Sequence, residues 1–420
     1  MRFGSSGIRT RYGGGLLWAA LQVGRLLGAG SRTVLVGTDT RTTSPLLAHA
    51  ITAGALSSGG SVLAAGIAPT PAVAWATPPE GSGCMVTASH NPEEYNGLKL
   101  FNHGGSSFSR RQQEEVEHAL GQGAPAVPGA SWEAFTEQRP CDVLGPYVQA
   151  IQRDIGETAP LPVVLDCGNG AGSLATPALL RELGMTVSCV NCNPSGTFAR
   201  PSEPLEEHLG FVGSLVRCRG ASGALVHDGD ADRLAAFDSR GRMIPGDRLL
   251  ILFTRYLGAR RVVTTLDASM AIEEWAEVKR TPVGDAYVSA ALTRWGDFGG
   301  EPSGAWIFPR HSLCPDGPYA AALFCRMASE WDIPAEVDAI PSYPLVRRSI
   351  PCPQAREVMQ ALGAESPTDG IRIADDDGWF LVRASGTEPK IRITAEGRTR
   401  EAAGQMMEKG LSMVRKGKKG

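Results

Sequence analysis

Residues 84–101, CMVTASHNPEEYNGLKLF, decide how the rest of this chain is read. Met85, Val86 and their neighbours form a short apolar run that suits a buried strand. It breaks off at residues 87–92, Thr-Ala-Ser-His-Asn-Pro, a cluster of small, polar and turn-forming residues. Asn96-Gly97 carries a tight-turn signal, and residues 98–101 read as a returning strand. Such a hairpin holds Ser89 at its mouth and returns Lys99 towards it. A serine beside a histidine, His90, with a lysine nearby has the makings of a covalent nucleophile and its proton-transfer partners. A surface turn with a capping serine has the same composition, so other motifs must decide.

A second motif is His227-Asp228-Gly229-Asp230-Ala231-Asp232-Arg233, entered from the strand-like Leu225-Val226. Three carboxylates this close repel one another unless a cation sits among them. Alternating hard oxygen ligands suit Mg²⁺. A calcium EF-hand is excluded, because Arg233 stands at the sixth position, where glycine is needed, and Ser239 at the twelfth, where glutamate is needed. A third motif, within residues 379–396, places Arg383-Ala384-Ser385-Gly386-Thr387-Glu388-Pro389 between two strand-like runs. It offers hydroxyls, a glycine amide and close basic residues, which a phosphate cradle requires.

Taken in order, these motifs resemble those of the α-D-phosphohexomutase superfamily, the phosphoglucomutase and phosphomannomutase relatives, and most of all its archaeal-type phosphoglucosamine mutases. TASHNPxxxNGxK is similar to the active-serine loop, DGDxDR to the metal loop and RxSGTEPxxR to a phosphate loop. Gly299-Gly300-Glu301-Pro302-Ser303-Gly304-Ala305 resembles the sugar-recognition loop GGExSGH, with Ala305 where many members carry histidine. Phe3-Gly4-Ser5-Ser6-Gly7-Ile8-Arg9 resembles an FGTxGIRG-like opening. The resemblance implies a phosphorylated Ser89, with Mg²⁺ held by a phosphoserine oxygen of Ser89 and by Asp228, Asp230 and Asp232. It implies that Arg9 faces the serine, that Arg233 positions phosphoserine or substrate, and that Lys99 or His90 moves protons, Lys99 being favoured. Glu301 and Ser303 would bind sugar hydroxyls; Arg383, Ser385, Gly386, Thr387 and Arg392 would grip the phosphate that is not reacting. Asp285, in Val283-Gly284-Asp285, reads equally well as part of a family loop and as a cap on the next helix.

The implied reaction interconverts hexose 6-phosphate and 1-phosphate through the phosphoserine and a hexose 1,6-bisphosphate, which also serves as activator. Glucosamine 6-phosphate is the favoured substrate; the alternative is a mutase for glucose or mannose phosphates. A metal-dependent phosphatase or a non-catalytic sugar-phosphate binder is the rival from another class.

The fold follows from repetition. Residues 33–39 form a strand ending in a Gly-Thr-Asp turn, then Ser44-Pro45 opens a helix and residues 62–65 resume as strand. Strand, turn, helix and strand recur at residues 162–166, 168–172, 177–183 and 187–190. A weaker copy runs from residues 262–267 into a helix through Ile272, Trp275 and Val278. Three such units suggest three related α/β modules with mixed sheets, and the resemblance adds a C-terminal α+β domain. The expected domains are 1–140 with the serine loop, 141–243 with the metal loop, 244–341 with the sugar loop and 342–420 for phosphate binding, around a central cleft. Gly168-Asn169-Gly170-Ala171-Gly172 lacks the G-x-G-x-x-G spacing, since Ser173 stands at the third glycine position, and reads as packing and helix entry.

With 420 residues the chain is too long for one typical domain, and a net charge of -3 argues against a general nucleic-acid surface. Nine cysteines without a scaffold pattern fit a reduced, cytoplasmic protein. Cys189 and Cys192 form a CxxC with no second pair at zinc-ribbon spacing, which argues against a metal role. Residues 62–76 are apolar but are broken by Pro69 and Pro71 and are too short to span a bilayer. The expectation is a monomer or homodimer that binds a small sugar phosphate, with no nucleic-acid or membrane partner.

Overall fold

The structure, a computed structural model, describes residues 3–4, 7–30, 33–121, 129–134, 136–364, 366–385 and 389–417. The first module contains β1 (Ile8–Arg11), α1 (Gly14–Gly30), β2 (Thr33–Thr38), α2 (Ser44–Ser57), β3 (Ser61–Ile67), α3 (Thr70–Trp75), β4 (Gly81–Val86), β5 (Tyr95–Phe101), α4 (Arg110–Gly121) and β6 (Gln138–Pro140). Its sheet runs β1-β5-β4-β2-β3-β6. β2 pairs in parallel with β3 and β4, so its Thr-Val-Leu-Val-Gly-Thr is buried almost throughout, as an interior parallel strand must be. Helices α1 and α2 approach so closely that a Cβ on Gly24 would lie 2.1 Å from the Ile51 carbonyl oxygen, and one on Gly54 would lie 2.1 Å from that of Leu21.

The second module contains α5 (Leu144–Ile155), β7 (Pro162–Asp166), α6 (Thr176–Glu182), β8 (Thr186–Val190), α7 (Gly210–Arg219), β9 (Gly223–His227) and β10 (Leu234–Phe237), with strand order β10-β9-β7-β8. The third contains α8 (Gly246–Leu257), β11 (Arg261–Thr265), β12 (Glu277–Thr281), α9 (Asp285–Leu292), β13 (Phe298–Gly300), β14 (Trp306–Ile307), α10 (Gly317–Glu330) and α11 (Ile333–Ala339), with order β12-β11-β13-β14. In each module a parallel strand turns back into an antiparallel one: β4 into β5, β9 into β10 and β13 into β14. The serine, acidic and Glu301-Ser303 loops are these three equivalent turns.

One hydrophobic core runs through all three modules, from Leu35 and Met85 through Tyr147 and Leu225 to Phe253 and Phe324. The C-terminal domain is different. β15 (Leu345–Pro351), α12 (Ala355–Ala361), β16 (Ile371–Asp375), β17 (Gly378–Ala384), β18 (Lys390–Gly397) and α13 (Arg400–Gly417) make an antiparallel sheet, order β15-β18-β17-β16, with its own core around Val382, Ile393 and Met407. The expected architecture of three related α/β modules and one α+β domain is what the structure has.

Two local expectations fail. Asn96-Gly97 is not a turn but lies within β5, where a Cβ on Gly97 would be 2.1 Å from the Ile8 carbonyl oxygen on β1. Beyond Ile272 no α-helix forms: a short 3₁₀ turn, Met270–Glu274, leads into β12, so Val278 pairs with Val262 on β11. Spacing by three at Ile272, Trp275 and Val278 imitates a helix, but parallel pairing with β11 decides the conformation.

Candidate active site

The serine loop is built around a buried arginine. Arg41 Nε donates to Asp39 Oδ2 at 2.9 Å; Nη1 donates to the carbonyls of Pro92 and Tyr95, and Nη2 to those of Ser89 and Asn91, at 2.6–3.0 Å. All five guanidinium N–H groups thus have an acceptor, and four of them tie down the backbone of Ser89 and of the residues that follow it. Asp39 in turn accepts from Ser44 Oγ and Thr87 Oγ1, both at 2.7 Å, and Thr87 Oγ1 accepts from the Ser89 amide at 2.9 Å. Ser44, the first residue of α2, thus braces Asp39. Held this way, Ser89 has a φ of 50°, an uncommon conformation for a residue with a Cβ, and it is buried.

The acidic loop faces it. Ser89 Oγ donates to Asp228 Oδ2 at 2.9 Å, and Ala231 repeats the strained backbone with a φ of 56°. Lys99, on β5, bridges Asp230 Oδ2 at 2.7 Å and Asp232 Oδ2, and Thr70 Oγ1 donates to the same Asp230 oxygen. Ser202 Oγ accepts from the Gly229 amide at 2.9 Å and donates to the Ser89 carbonyl at 3.2 Å, so one hydroxyl joins both loops. Gly170 packs beneath: a Cβ there would lie 2.5 Å from the Gly229 carbonyl oxygen, which bears out the packing reading of the glycine turn.

Electrostatics separates the three carboxylates. Burial and its two acidic neighbours push Asp228 well up from the usual carboxylate range, and burial with Asp230 also raises Asp232. Burial works against ionised Asp230 too, but the Lys99 ammonium prevails and holds its carboxyl low. Burial likewise disfavours charged Lys99, yet Asp230 and Asp232 outweigh it, so the ammonium is kept. His90 Nδ1 lies 3.5 Å from Ser89 Oγ; burial and the cations Arg233 and Arg9 push this imidazole down to about 3, so it is neutral at pH 7. Arg9 lies opposite Gly97 on β1.

Asp228, Asp230 and Asp232 each offer an oxygen within 4.8 Å of the others. Asp230 Oδ1 and Asp232 Oδ1 are buried without a hydrogen-bond partner among the described residues. A hard divalent cation fits this donor set.

The third loop is stapled to the second. Arg233 pairs through its backbone with Ala305, Leu234 N donates to the Gly304 carbonyl at 2.9 Å, and Trp306 Nε1 donates to the Leu234 carbonyl at 2.9 Å. Arg233 Nη1 lies 3.3 Å from Glu203 Oε1. Ser303 Oγ donates to Glu301 Oε2 at 3.2 Å and the Gly284 amide to Glu301 Oε1 at 2.7 Å. Burial and nearby Asp285 push Glu301 up to about 7. Asp285 makes no side-chain cap on α9, whose N-cap is Gly284.

The fourth-domain residues form a separate group. Arg383 and Arg392 stand opposite each other on β17 and β18, and the Ser385 amide donates to the Lys390 carbonyl at 2.9 Å. Ser385 Oγ is buried without a partner among the described residues; Gly386 and Thr387 lie outside them. Arg41, Thr70 and Ser202 escaped the sequence reading altogether. The one available signal was the Gly-Thr-Asp turn before Arg41, which names a strand end but not what lies opposite.

Four domain families described as phosphoglucomutase/phosphomannomutase match in order: alpha/beta/alpha domains I, II and III over residues 1–125, 145–241 and 245–338, and the C-terminal domain over 346–410. A probable phosphoglucosamine mutase from Methanocella arvoryzae is 39% identical, covering 99% of this chain and 98% of its own. One from Methanosarcina barkeri is 40% identical over 94% and 95%. Among solved structures, a phosphoglucomutase/phosphomannomutase family protein from Burkholderia thailandensis superposes with a TM-score of 0.85 at 24% identity, covering 99% of this chain and 97% of that one. An Aspergillus fumigatus N-acetylphosphoglucosamine mutase in complex with GlcNAc-6P and magnesium gives 0.62 at 17% identity, covering 99% and 96%. Among the described residues no helix is long and apolar enough to cross a membrane.

Proposed function

This chain belongs to the phosphoglucomutase/phosphomannomutase family, and from that premise we propose that it converts glucosamine 6-phosphate to glucosamine 1-phosphate through a phosphorylated Ser89. The observation that carries the reading is the hydrogen bond from Ser89 Oγ to Asp228, inside an acidic trio already partly neutralised by Lys99. The names of the archaeal relatives favour the amino sugar.

Phosphorylated Ser89 transfers its phosphoryl group to a sugar hydroxyl: the Oγ–P bond breaks, a sugar O–P bond forms, and net one proton passes from the sugar hydroxyl to Ser89 Oγ. The resulting 1,6-bisphosphate turns within the cleft and returns its other phosphoryl group to Ser89; the same compound, supplied from solution, restores a dephosphorylated enzyme. Asp228, Asp230 and Asp232, with the Ser89 phosphate, would hold Mg²⁺, which supplies positive charge to the transferring group. Arg9 and Arg233 add further positive charge. Proton transfer falls first to Lys99, whose retained ammonium can give a proton to the leaving Ser89 Oγ, while His90, neutral and therefore in its base form, lies 3.5 Å from that oxygen. Glu301 and Ser303 meet the sugar hydroxyls, and Arg383, Ser385, Gly386, Thr387 and Arg392 receive the idle phosphate.

The test compares kcat/KM on glucosamine, glucose and mannose 6-phosphates, with Ser89→Ala as control. A preference for glucosamine 6-phosphate of about a hundredfold, ~2.7 kcal/mol of discrimination, is expected. Equal or better rates on glucose or mannose phosphate would remove the amino-sugar assignment, and turnover by Ser89→Ala would remove the phosphoserine.

A further inference from the structure

Three cysteines lie at the ends of β7 and β8, where β8 forms an edge of the second module's sheet. Cys167 follows β7 and is buried, Cys189 lies on β8 and is exposed, and Cys192, two residues beyond β8, is half-buried. The parallel register sets Leu165 opposite Cys189 and Asp166 opposite Val190, which brings the ends of both strands together. The Val190 carbonyl, one residue beyond Cys189, accepts from the Cys167 amide at 3.4 Å and from Cys192 Sγ, in its protonated form, at 3.2 Å, so the three cysteines gather around one carbonyl. Arg181 Nη2 donates to Cys189 Sγ at 3.3 Å.

The three sulfurs do not close into a metal claw. Among the described residues the one His, Cys, Asp or Glu trio with ligand atoms all within 4.8 Å of one another is the aspartate trio. Cys192 shares the Val190 carbonyl with Cys167 and stands three positions from Cys189 in the CxxC. The group grades inward: Cys189 meets solvent, whereas Cys167 does not.

We propose that Cys192 and Cys189 form a peroxide-sensitive dithiol, in which Cys192 is the attacking sulfur, Cys189 the resolving one, and Cys167 the buried donor that positions Cys192. Hydrogen bonds from Cys167, thiol first, hold the Cys192 thiol down to about 7 against the opposing effect of burial, while burial pushes Cys167 and Cys189 up. Cys192 is then the most readily ionised of the three at neutral pH. The Cys192 thiolate attacks one oxygen of hydrogen peroxide; the O–O bond breaks, hydroxide leaves and a sulfenic acid remains. The Cys189 thiol attacks that sulfur, the S–O bond breaks and water leaves with the Cys189 proton. The hydroxide takes up a proton from solvent, so two thiols are oxidised and one peroxide is reduced to two waters. Thioredoxin-type dithiols would reverse the bond by exchange.

Trypsin separates the players, because residues 182–217 carry Cys189 and Cys192 while residues 154–181 carry Cys167. The full-length protein is treated with equimolar hydrogen peroxide, remaining thiols are alkylated, and the digest is weighed. The expected product is peptide 182–217 lighter by two hydrogens and free of alkyl groups. In Cys189→Ser, dimedone should trap the sulfenic acid on Cys192; in Cys192→Ser, no disulfide should appear in this peptide. Cys167→Ala should move the pH profile of Cys192 alkylation upward and slow it about tenfold at pH 7. A peptide 182–217 that stays fully alkylatable after peroxide, or a dimedone adduct on Cys189 in the wild type with none on Cys192 in Cys189→Ser, would overturn the proposal. An unchanged alkylation profile in Cys167→Ala would remove Cys167 from it.

Discussion

The first three modules and the C-terminal domain are joined in different ways. One apolar core passes through the three modules, and their loops interlock through buried bonds such as Ser89–Asp228, Lys99–Asp230 and Ser202–Ser89. The fourth domain keeps its own core and rests on the third through a small joint: Met270 against Trp379 and Leu381, with Glu396 Oε2 accepting from the Met270 amide at 2.8 Å and from Trp379 Nε1 at 2.6 Å. A site spread over one shared core has fixed geometry. A loop carried on a separately packed body can move as a unit, which suits the proposed grip on a phosphate at either end of the sugar.

Variants can break the rigid half first. Arg41→Ala leaves four carbonyls and the Asp39 carboxylate without their buried donor, and should cost about 3–5 kcal/mol of stability by calorimetry. Retention of the wild-type melting temperature would show that the shared core alone holds the serine loop. Lys99→Met should cost roughly 3 kcal/mol in chelator, because Asp230 and Asp232 lose their counter-charge, with part of the loss restored by millimolar Mg²⁺. Equal melting shifts with and without Mg²⁺ would sever Lys99 from the cation site.

Glu301 sharpens the comparison through pH. Its folded carboxyl is raised from 4.5 to about 7, so the folded state holds this proton more tightly than the unfolded chain does. Its contribution is complete below about pH 4.5 and fades as pH rises towards 7, a loss of roughly 1–3 kcal/mol. Denaturation at pH 4.5 and 7 should show this slope reduced in Glu301→Gln; an unaltered slope would assign the titration elsewhere. The smallest effect belongs to the joint. Glu396→Ala should cost about 1–2 kcal/mol and speed amide exchange around Met270 and Trp379 while leaving β4 and β5 unchanged. Faster exchange in β4 and β5 would mean that the two halves are not independently held.

Legibility in the sequence followed the range of the interactions. The strands before Ser89 and Asp228 could be read because each is a local apolar run ending in small polar residues, and the repeated strand–turn–helix order announced three modules. Asn96-Gly97 misled because its glycine answers to the crowding of β1 against β5, not to a turn. Val278 misled because β11 captures it as a strand partner. The Gly-Thr-Asp turn before Arg41 looked like ordinary punctuation.

The amino-acid sequence by itself determined the family, the modular order and the chemical inventory of a serine, three aspartates and several arginines, because those are matters of residue type and local spacing. Tertiary structure alone decided that Lys99 serves as counter-ion to Asp230 and Asp232, that Arg41 fastens the serine loop, and that Ser202 bridges two loops. Those contacts join residues 27 to 133 positions apart, from Ser202 with Gly229 to Lys99 with Asp232. Their strength comes from burial, which raises the cost of every unpaired charge and carbonyl, and burial exists only once the modules have packed.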